Sequence, residues 1–544
     1  MKFCTNLFAL TIFLASCAAP ATQTVKATPI SAVTPTVTVA PSPVATLRAR
    51  PSPTPTSSQS PIQTPAWFRD VVLYEIFVRS FYDSNGDGIG DLKGITLQLD
   101  YIQSLGARAL WLTPIFASPS YHGYDISDYY KVNPEFGTEA DLVELINEAH
   151  KRNIKVLLDY VVGHTSNQHP FFKDAFNNPQ SKYSDWYRWN DPRHTRYDSF
   201  AGVKELPSLN HANPDAQKYL IDVAKHWMKL GVDGYRADYV LGVSHDFWKK
   251  LRAEVKAIHP DFILLAEAWT DGVKIRDYFQ NEFDAAFDFP FYGDVQRSHD
   301  RVGDSVLLGN ASMSLLDGSI IAQPRLYPPD ALRVTFINNH DTHRAMSEVN
   351  GDFARAKLGA TLLLTTPGTP MIYYGEEIGM KGEKASAPDY DKTRREPMDW
   401  YASESGQGMT AWYKPTTRYN KAVDQISVEE QVGKNDSLLE HYRALVTLRN
   451  ANSALRSGSF EKIALDDSKV YAFLRADEKT AFLIVLNLAD TPSSLSLDLG
   501  NTSLPDGTYA AVDALAKKSF DLKGWILNLN AEAKTSYVLQ LIRK

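Results

Sequence analysis

From Val71 onward the chain alternates short apolar, strand-like runs with longer segments whose apolar residues recur every three or four positions. The runs are Val71 to Val78, Ala107 to Leu112, Lys155 to Val162, Val232 to Asp238, Phe262 to Glu267, Ala285 to Phe289, Val334 to Ile337 and Met371 to Tyr374. Helix-period segments between and after them include Glu139 to Arg152, Asp215 to Leu230, Phe247 to Ile258, Phe353 to Leu364 and Leu438 to Asn450. Near-continuous apolar strands separated by amphipathic helices are the pattern of parallel strands covered on both faces. Eight such units predict a closed (β/α)8 barrel of the α/β class, with its active site at the C-terminal ends of the strands.

Three of those ends carry acids. Gly231-Val-Asp-Gly-Tyr-Arg-Ala-Asp238, Leu264-Leu-Ala-Glu-Ala-Trp269 and Phe336-Ile-Asn-Asn-His-Asp341 each run from apolar residues onto a carboxylate. Desolvating a charge at the end of a buried strand is costly unless it is paired or used. One such acid alone reads equally well as an ion pair or a helix cap; three on neighbouring barrel strands read as a catalytic set. Charge narrows the substrate. The chain holds 57 Lys and Arg against 64 Asp and Glu, and the first 65 residues hold no acid at all, so the remainder is distinctly acidic. A nucleic-acid or anionic-membrane surface would need a basic face; a neutral substrate fits.

These three segments, with further motifs spread from about Ala66 to Ile378, resemble the α-amylase family of retaining glycoside hydrolases. The resemblance implies Asp238 as nucleophile, Glu267 as general acid/base, and Asp341 as the third acid, which grips substrate hydroxyls and favours a distorted, oxocarbenium-like ring. Arg236 shares the face of its strand with Asp238 and is expected to orient that carboxylate. His340 alone reads as a core histidine, but within Asn-His-Asp it matches a substrate-binding position. Arg344 is read either as a brace for Asp341 or as a surface ion pair. Leu158-Asp159-Tyr-Val-Val-Gly-His164 is similar to the family's third-strand motif, with His164 as a sugar ligand. Ser120-Tyr-His-Gly-Tyr-Asp125 is similar to the loop after strand two, where Tyr124 stacks on the reacting sugar, His122 hydrogen-bonds it and Asp125 completes the triplet. A flat ring suits the apolar C–H face of a pyranose. Leu206-Pro-Ser-Leu-Asn210 matches a shorter motif of the family. Trp186, Tyr187 and Trp189 read as sugar platforms or as core.

Asp83-Ser-Asn-Gly-Asp-Gly-Ile-Gly-Asp91 places oxygen donors at alternate positions with glycines between them, like a calcium loop, although Gly94 stands where an EF-hand has its bidentate Glu. The resemblance extends to relatives of oligo-1,6-glucosidase, and implies calcium on Asp83, Asn85, Asp87, the Ile89 carbonyl and Asp91; the alternative is a turn held by Asn and Asp caps. A departure stands at Gly163, where the family usually has an Asn that commonly ligates a second calcium.

At the N-terminus, Lys2, an apolar stretch from Leu7 to Leu14 and Leu14-Ala-Ser-Cys17 form a secretory signal too short to span a bilayer. Its end resembles a bacterial lipobox with Cys17 lipidated, which implies an extracytoplasmic protein held to a membrane by its lipid alone; cleavage near Ala18-Ala19 is the alternative. With Cys4 removed in the signal, no disulfide or Cys-ligated metal is available. Residues 18–65, rich in Pro, Thr and Ser without hydrophobic periodicity, read as a linker. The catalytic domain is expected over 66–453. Thr165 to Ala212 is too long for a simple loop and resembles the small domain the family inserts after strand three. Lys381 to Gly433 reads as an elaborated loop. The alternating runs Val470-Tyr-Ala-Phe-Leu-Arg475 and Ala481-Phe-Leu-Ile-Val-Leu-Asn487 predict a C-terminal β-sandwich over 454–544.

The resulting expectation is hydrolysis of α-1,4-glucosidic bonds in starch-derived glucans by double displacement. Rival readings are an exo-acting α-glucosidase or cyclomaltodextrinase, a transglycosidase sharing every catalytic residue, and a glucan-binding lipoprotein without catalysis, which the three acids disfavour. Tyr121-His122 before Gly123, and Arg395-Glu-Pro-Met-Asp-Trp400, resemble α-amylases more than exo-glucosidases. Tyr239, directly after the expected nucleophile, matches neither linkage pattern.

Overall fold

The computed structural model describes residues 64–296, 305–413 and 419–544. The expected signal peptide, Cys17 and the linker lie outside the described residues. Eight parallel strands close into a barrel: β1 (Leu73–Ile76), β2 (Ala109–Leu112), β3 (Lys155–Tyr160), β4 (Gly234–Ala237), β5 (Ile263–Ala266), β6 (Ala285–Phe287), β7 (Leu332–Thr335) and β8 (Thr369–Tyr373), with β8 paired to β1. The last two begin two residues before the apolar runs that signalled them. Each added pair includes a polar residue that is buried with a partner: Arg333 donates to Asp288 at 2.8 Å, and the Thr369 hydroxyl donates to the Phe68 carbonyl at 3.0 Å.

Helices α1 (Glu139–Lys151), α2 (Pro214–Lys229), α3 (His245–Ile258), α4 (Phe353–Thr365) and α5 (Leu438–Ala451) occupy the expected segments. Their starts are set by local chemistry. Thr138 and Asp141 form a reciprocal capping box on α1, and Asn213 caps α2 ahead of Pro214. Outward-facing strand residues such as Tyr74, Leu110, Leu158 and Leu264 pack against this helical layer.

Alternate residues point into the barrel. Leu73, Trp111, Leu157, Ile263, Leu265, Phe287, Val334 and Met371 fill its lower layers as one buried cluster. Gly234 belongs to this face, and a Cβ there would lie 2.0 Å from Ile263 Cγ2 and 2.7 Å from the Ile263 carbonyl oxygen. No other residue fits between β4 and β5 at that level.

After α5 the chain forms two antiparallel sheets. The first is ordered β9 (Ser459–Ile463), β10 (Val470–Ala476), β11 (Ala481–Asn487), β17 (Thr535–Arg543), β13 (Tyr509–Asp513) and β14 (Ser519–Phe520); the second is ordered β12 (Ser493–Asp498), β16 (Ile526–Ala531) and β15 (Leu522–Lys523). Leu474, Leu483, Leu497, Leu527 and Leu539 form a core between them. This domain is fastened to the barrel by buried arginines that donate to carbonyls. Arg475 bonds Thr365 O at 2.5 Å, and Arg355 bonds Leu488 O at 3.1 Å.

Candidate active site

Two residues beyond the apolar layers, the same inward face turns polar: Glu75 on β1, Asp159 on β3, Arg236 on β4, and Asp238 and Glu267 just past β4 and β5. Arg236, 1% exposed, is the hub. Its Nη1 donates to Asp159 Oδ1 at 3.0 Å and Asp238 Oδ1 at 2.7 Å, while Nη2 reaches Glu267 Oε1 at 2.7 Å. The guanidinium also lies over the Trp111 ring at 4.8 Å. One cation facing three acids leaves a proton to be accommodated. Burial pushes the Glu267 carboxyl up to about 8 against the pull of Arg236, with Asp238 adding to the rise, and burial likewise raises Asp159 to about 7.

Glu267 is held from its other side by the backbone N–H of Tyr239, 2.8 Å from Oε2. That contact is made with Tyr239 at a φ of 41°, a left-handed conformation costly for an aromatic residue. The same conformation leaves the Tyr239 ring exposed, edge-on to Phe200 at 4.8 Å.

Asp341 receives the His340 Nε2 at 3.0 Å and the Arg395 Nη2 at 2.8 Å, and Arg394 donates to its carbonyl. Burial opposes its ionisation, but His340 and Arg395 outweigh burial and hold the carboxyl well below its usual range. Arg344, read as either a brace for Asp341 or a surface ion pair, is neither bonded to Asp341 nor on the surface. It is buried over the rings of Tyr373 and Tyr374 and donates to the carbonyls of Tyr374 and Arg394. The brace is Arg395, from the loop after β8.

Tyr124 donates to Asp159 Oδ2 at 3.1 Å, meets His340 Nε2 at 2.6 Å and stacks on the His340 ring at 11°. His122 accepts the Tyr124 N–H at 3.1 Å, and burial lowers its imidazole to about 4. His164 contacts the Tyr124 carbonyl at 3.0 Å, and burial lowers it too.

A cavity of about 430 Å3 opens here, and His122, Tyr124, His164, Asp238, Glu267 and Asp341 all line it. That volume lies in the range of small-molecule sites. Three expected ligands stand behind its wall: Arg236 and His340 are fully buried, and Asp125 is buried under the Ser118 and Ser120 hydroxyls. Trp186, Tyr187 and Trp189 do not line this cavity; they pack against Phe171 and Phe172 inside the inserted segment. The further aromatics lining the cavity are Phe200, Tyr239 and Trp269, and Leu206, Leu241, Lys384, Asp391 and Arg394 line it as well. Leu206 lay in a recognised motif; Phe200 and Lys384 had no local signal, because their place depends on how long loops fold back.

The α-amylase catalytic-domain family matches residues 75–458. The chain belongs to that family. As an α-amylase-family member it is a glycoside hydrolase. It is 35% identical to alpha-amylase 3 of Dictyoglomus thermophilum over 439 residues, 78% of this chain and 85% of that one. It is 32% identical to a trehalose synthase/amylase of Mycolicibacterium smegmatis, over 80% and 86% of the two chains. Among solved structures, the α-amylase from H. orenii superposes with a TM-score of 0.74 at 33% identity, covering 88% of this chain and all of the other.

In the Asp83–Asp91 loop, Asp83 accepts the N–H groups of Asn85, Gly86 and Gly88 at 3.0, 2.7 and 2.7 Å, and Asp91 accepts the Ser84 N–H and hydroxyl at 2.9 Å. The donor set, carboxylates with an amide and a carbonyl oxygen, is of the hard type calcium takes. The geometry seen is a series of self-capped turns, and among the described residues no three acidic, His or Cys side chains converge as a metal site. Beside Gly163 there is open space: a second cavity of about 460 Å3 adjoins the first, sharing His164, Phe200 and Tyr239, with Asp198 as its acid.

Proposed function

We propose that this glycoside hydrolase cleaves α-1,4-glucans internally and with retention, Asp238 serving as nucleophile, Glu267 as acid/base and Asp341 as the acid that holds substrate hydroxyls. The observation that carries the reading is the Arg236 fork, bonded at 2.7 Å to both Asp238 and Glu267. Two carboxyl groups bonded to the two terminal nitrogens of one guanidinium lie close together, and double displacement uses such a close pair, about 5–5.5 Å apart in retaining enzymes. Glu267, protonated at neutral pH, gives its proton to the departing glycosidic oxygen while Asp238 attacks the anomeric carbon. The aglycone leaves as an alcohol. Glu267 then takes a proton from water, whose oxygen displaces Asp238 and restores both carboxyl groups.

Internal cleavage is supported by Tyr121-His122 before Gly123 and by the continuation of the catalytic cavity into the second one past Tyr239, which gives further glucose units room. Calcium in the Asp83–Asp91 loop and a lipid on Cys17 complete the proposal. Product analysis on maltoheptaose blocked at its non-reducing end tests it. Mixed maltose and maltotriose are expected. No attack on blocked chains, with glucose alone from free ones, would make the enzyme exo-acting; longer products in the presence of an acceptor sugar would make it a transglycosidase.

A further inference from the structure

Glu75 has no part in the mechanism above, yet it stands in the polar layer of the barrel with no exposed surface. Its Oε1 lies 2.5 Å from His340 Nδ1, and its Oε2 has no hydrogen-bond partner. On the opposite nitrogen, His340 Nε2 faces Asp341 Oδ2 at 3.0 Å and the Tyr124 hydroxyl at 2.6 Å. We infer that Glu75 is a positioning residue that keeps His340 doubly protonated and thereby fixes Asp341 and Tyr124 in the catalytic cavity.

The argument is one of donor count. A neutral imidazole has one N–H and one lone pair; only the imidazolium donates from both nitrogens. Carboxylates stand at both nitrogens of His340, so a neutral ring would set a lone pair against one of them. The imidazolium satisfies Glu75 through Nδ1 and Asp341 through Nε2, and leaves the Tyr124 hydroxyl free to donate to Asp159 Oδ2. The ionisable groups around His340 are Glu75 on β1, Tyr124 after β2, Asp159 on β3, Asp341 on its own loop and Arg395, whose Nε donates to the His340 carbonyl at 3.0 Å. Burial would lower the imidazole, but Asp341 and Glu75 outweigh it and bring it up to about 9. Removing the Glu75 charge leaves one carboxylate against full burial. The ring then becomes neutral, keeps one N–H for Asp341 and loses its charge.

The inference rests on the glycosidase reading of the cavity for its effect on rate, but not for its effect on His340. Histidine side chains are followed by NMR against pH in wild type and Glu75→Gln, with the His340 resonance assigned by its loss in His340→Gln. In wild type it should be an imidazolium at pH 7.5; in Glu75→Gln its pKa should fall by at least one unit, each unit being a tenfold loss of the charged form above it. In parallel, kcat should fall about tenfold or more at pH 7.5 and the alkaline limb should move to lower pH, with KM changed less. That loss should vanish when Glu75→Gln is added to His340→Gln. A neutral His340 in wild type at pH 7.5, a titration unmoved in Glu75→Gln, or equal losses in both backgrounds would overturn the inference. The first of these does not need Glu75→Gln to fold. If wild type does not hydrolyse α-glucans, the proposed function fails while the titration still reports on Glu75.

Discussion

Asp238 and Glu267 are separated by 28 residues of sequence and joined by one side chain, Arg236, so their roles can be tested singly. Asp238→Asn and Glu267→Gln should each lose several orders of magnitude in kcat while retaining oligosaccharide binding, because each removes an interaction made only in the transition state. Azide should restore turnover to the corresponding alanine variants, and amide variants within tenfold of wild type would refute the assignment. The pH profile carries a second check. Glu267 must be protonated to act as the acid, and burial places its pKa at about 8; kcat/KM should therefore decline on the alkaline side near that pH, and the Glu267→Gln residual activity should lack that limb.

At the level of strands and loops, the register of β4 against β5 depends on Gly234. Gly234→Ala should destabilise the fold by about 1–3 kcal/mol or more, seen as a lower Tm, since backbone as well as the Ile263 side chain would have to move. For the Asp83–Asp91 loop, calcium that binds only the folded state raises its stability by linkage. Chelation should lower Tm in wild type and leave Asp87→Ala unaffected; an unchanged melting curve, with no metal by elemental analysis, would identify a self-capped turn.

Strands, helices and the three acids were legible in sequence because each depends on neighbours two to four residues away: period two for the barrel face, period three to four for the helices, caps such as Thr138 and Asn213. Arg395, Asp391, Lys384 and Phe200 were not assigned to the cavity, because they arrive there on loops whose path is set by tertiary packing. Arg344 shows the same limit from the other side. Three residues from Asp341 in sequence, it turns away to the Tyr373 and Tyr374 rings, while Arg395, more than fifty residues distant, makes the ion pair.

For the molecule as a whole, ionisation couples site to stability. Glu267 and Glu376 are both raised to about 8 by burial and Asp159 to about 7, from ordinary values of 4.5 and 3.8. Between the ordinary value and the raised one, the unfolded chain has released these protons and the folded chain has not, so stability falls as pH rises through that window. His340 acts in the same direction: raised to about 9, its contribution is complete below pH 6.5 and lost as pH passes 9. Buried neutral histidines such as His122 act in the opposite direction, but only below about pH 6.5; denaturant midpoints should therefore decrease from about pH 6.5 to pH 9, and Glu376→Gln should flatten part of the slope, whereas a midpoint rising across that range would contradict the burial of these groups. At the N-terminus, Cys17→Ser should release or misprocess the protein with its specific activity intact. Wild-type protein found wholly in the aqueous phase of a detergent partition would exclude a lipid.

The Arg236 hub has a consequence in time. Before reaction it balances three acids, and the negative charge of Asp238 is one of the causes that keep Glu267 protonated. In the proposed double displacement, esterification of Asp238 by the sugar removes that charge, and the guanidinium has one fewer anion to serve. Glu267, having just surrendered its proton, then has less electrostatic reason to take it back from solvent and remains ionised, ready to deprotonate the incoming water. When water releases the sugar, Asp238 regains its charge and the proton returns to Glu267. In that proposed cycle, the same fork that holds the two acids in place sets the order in which they are charged.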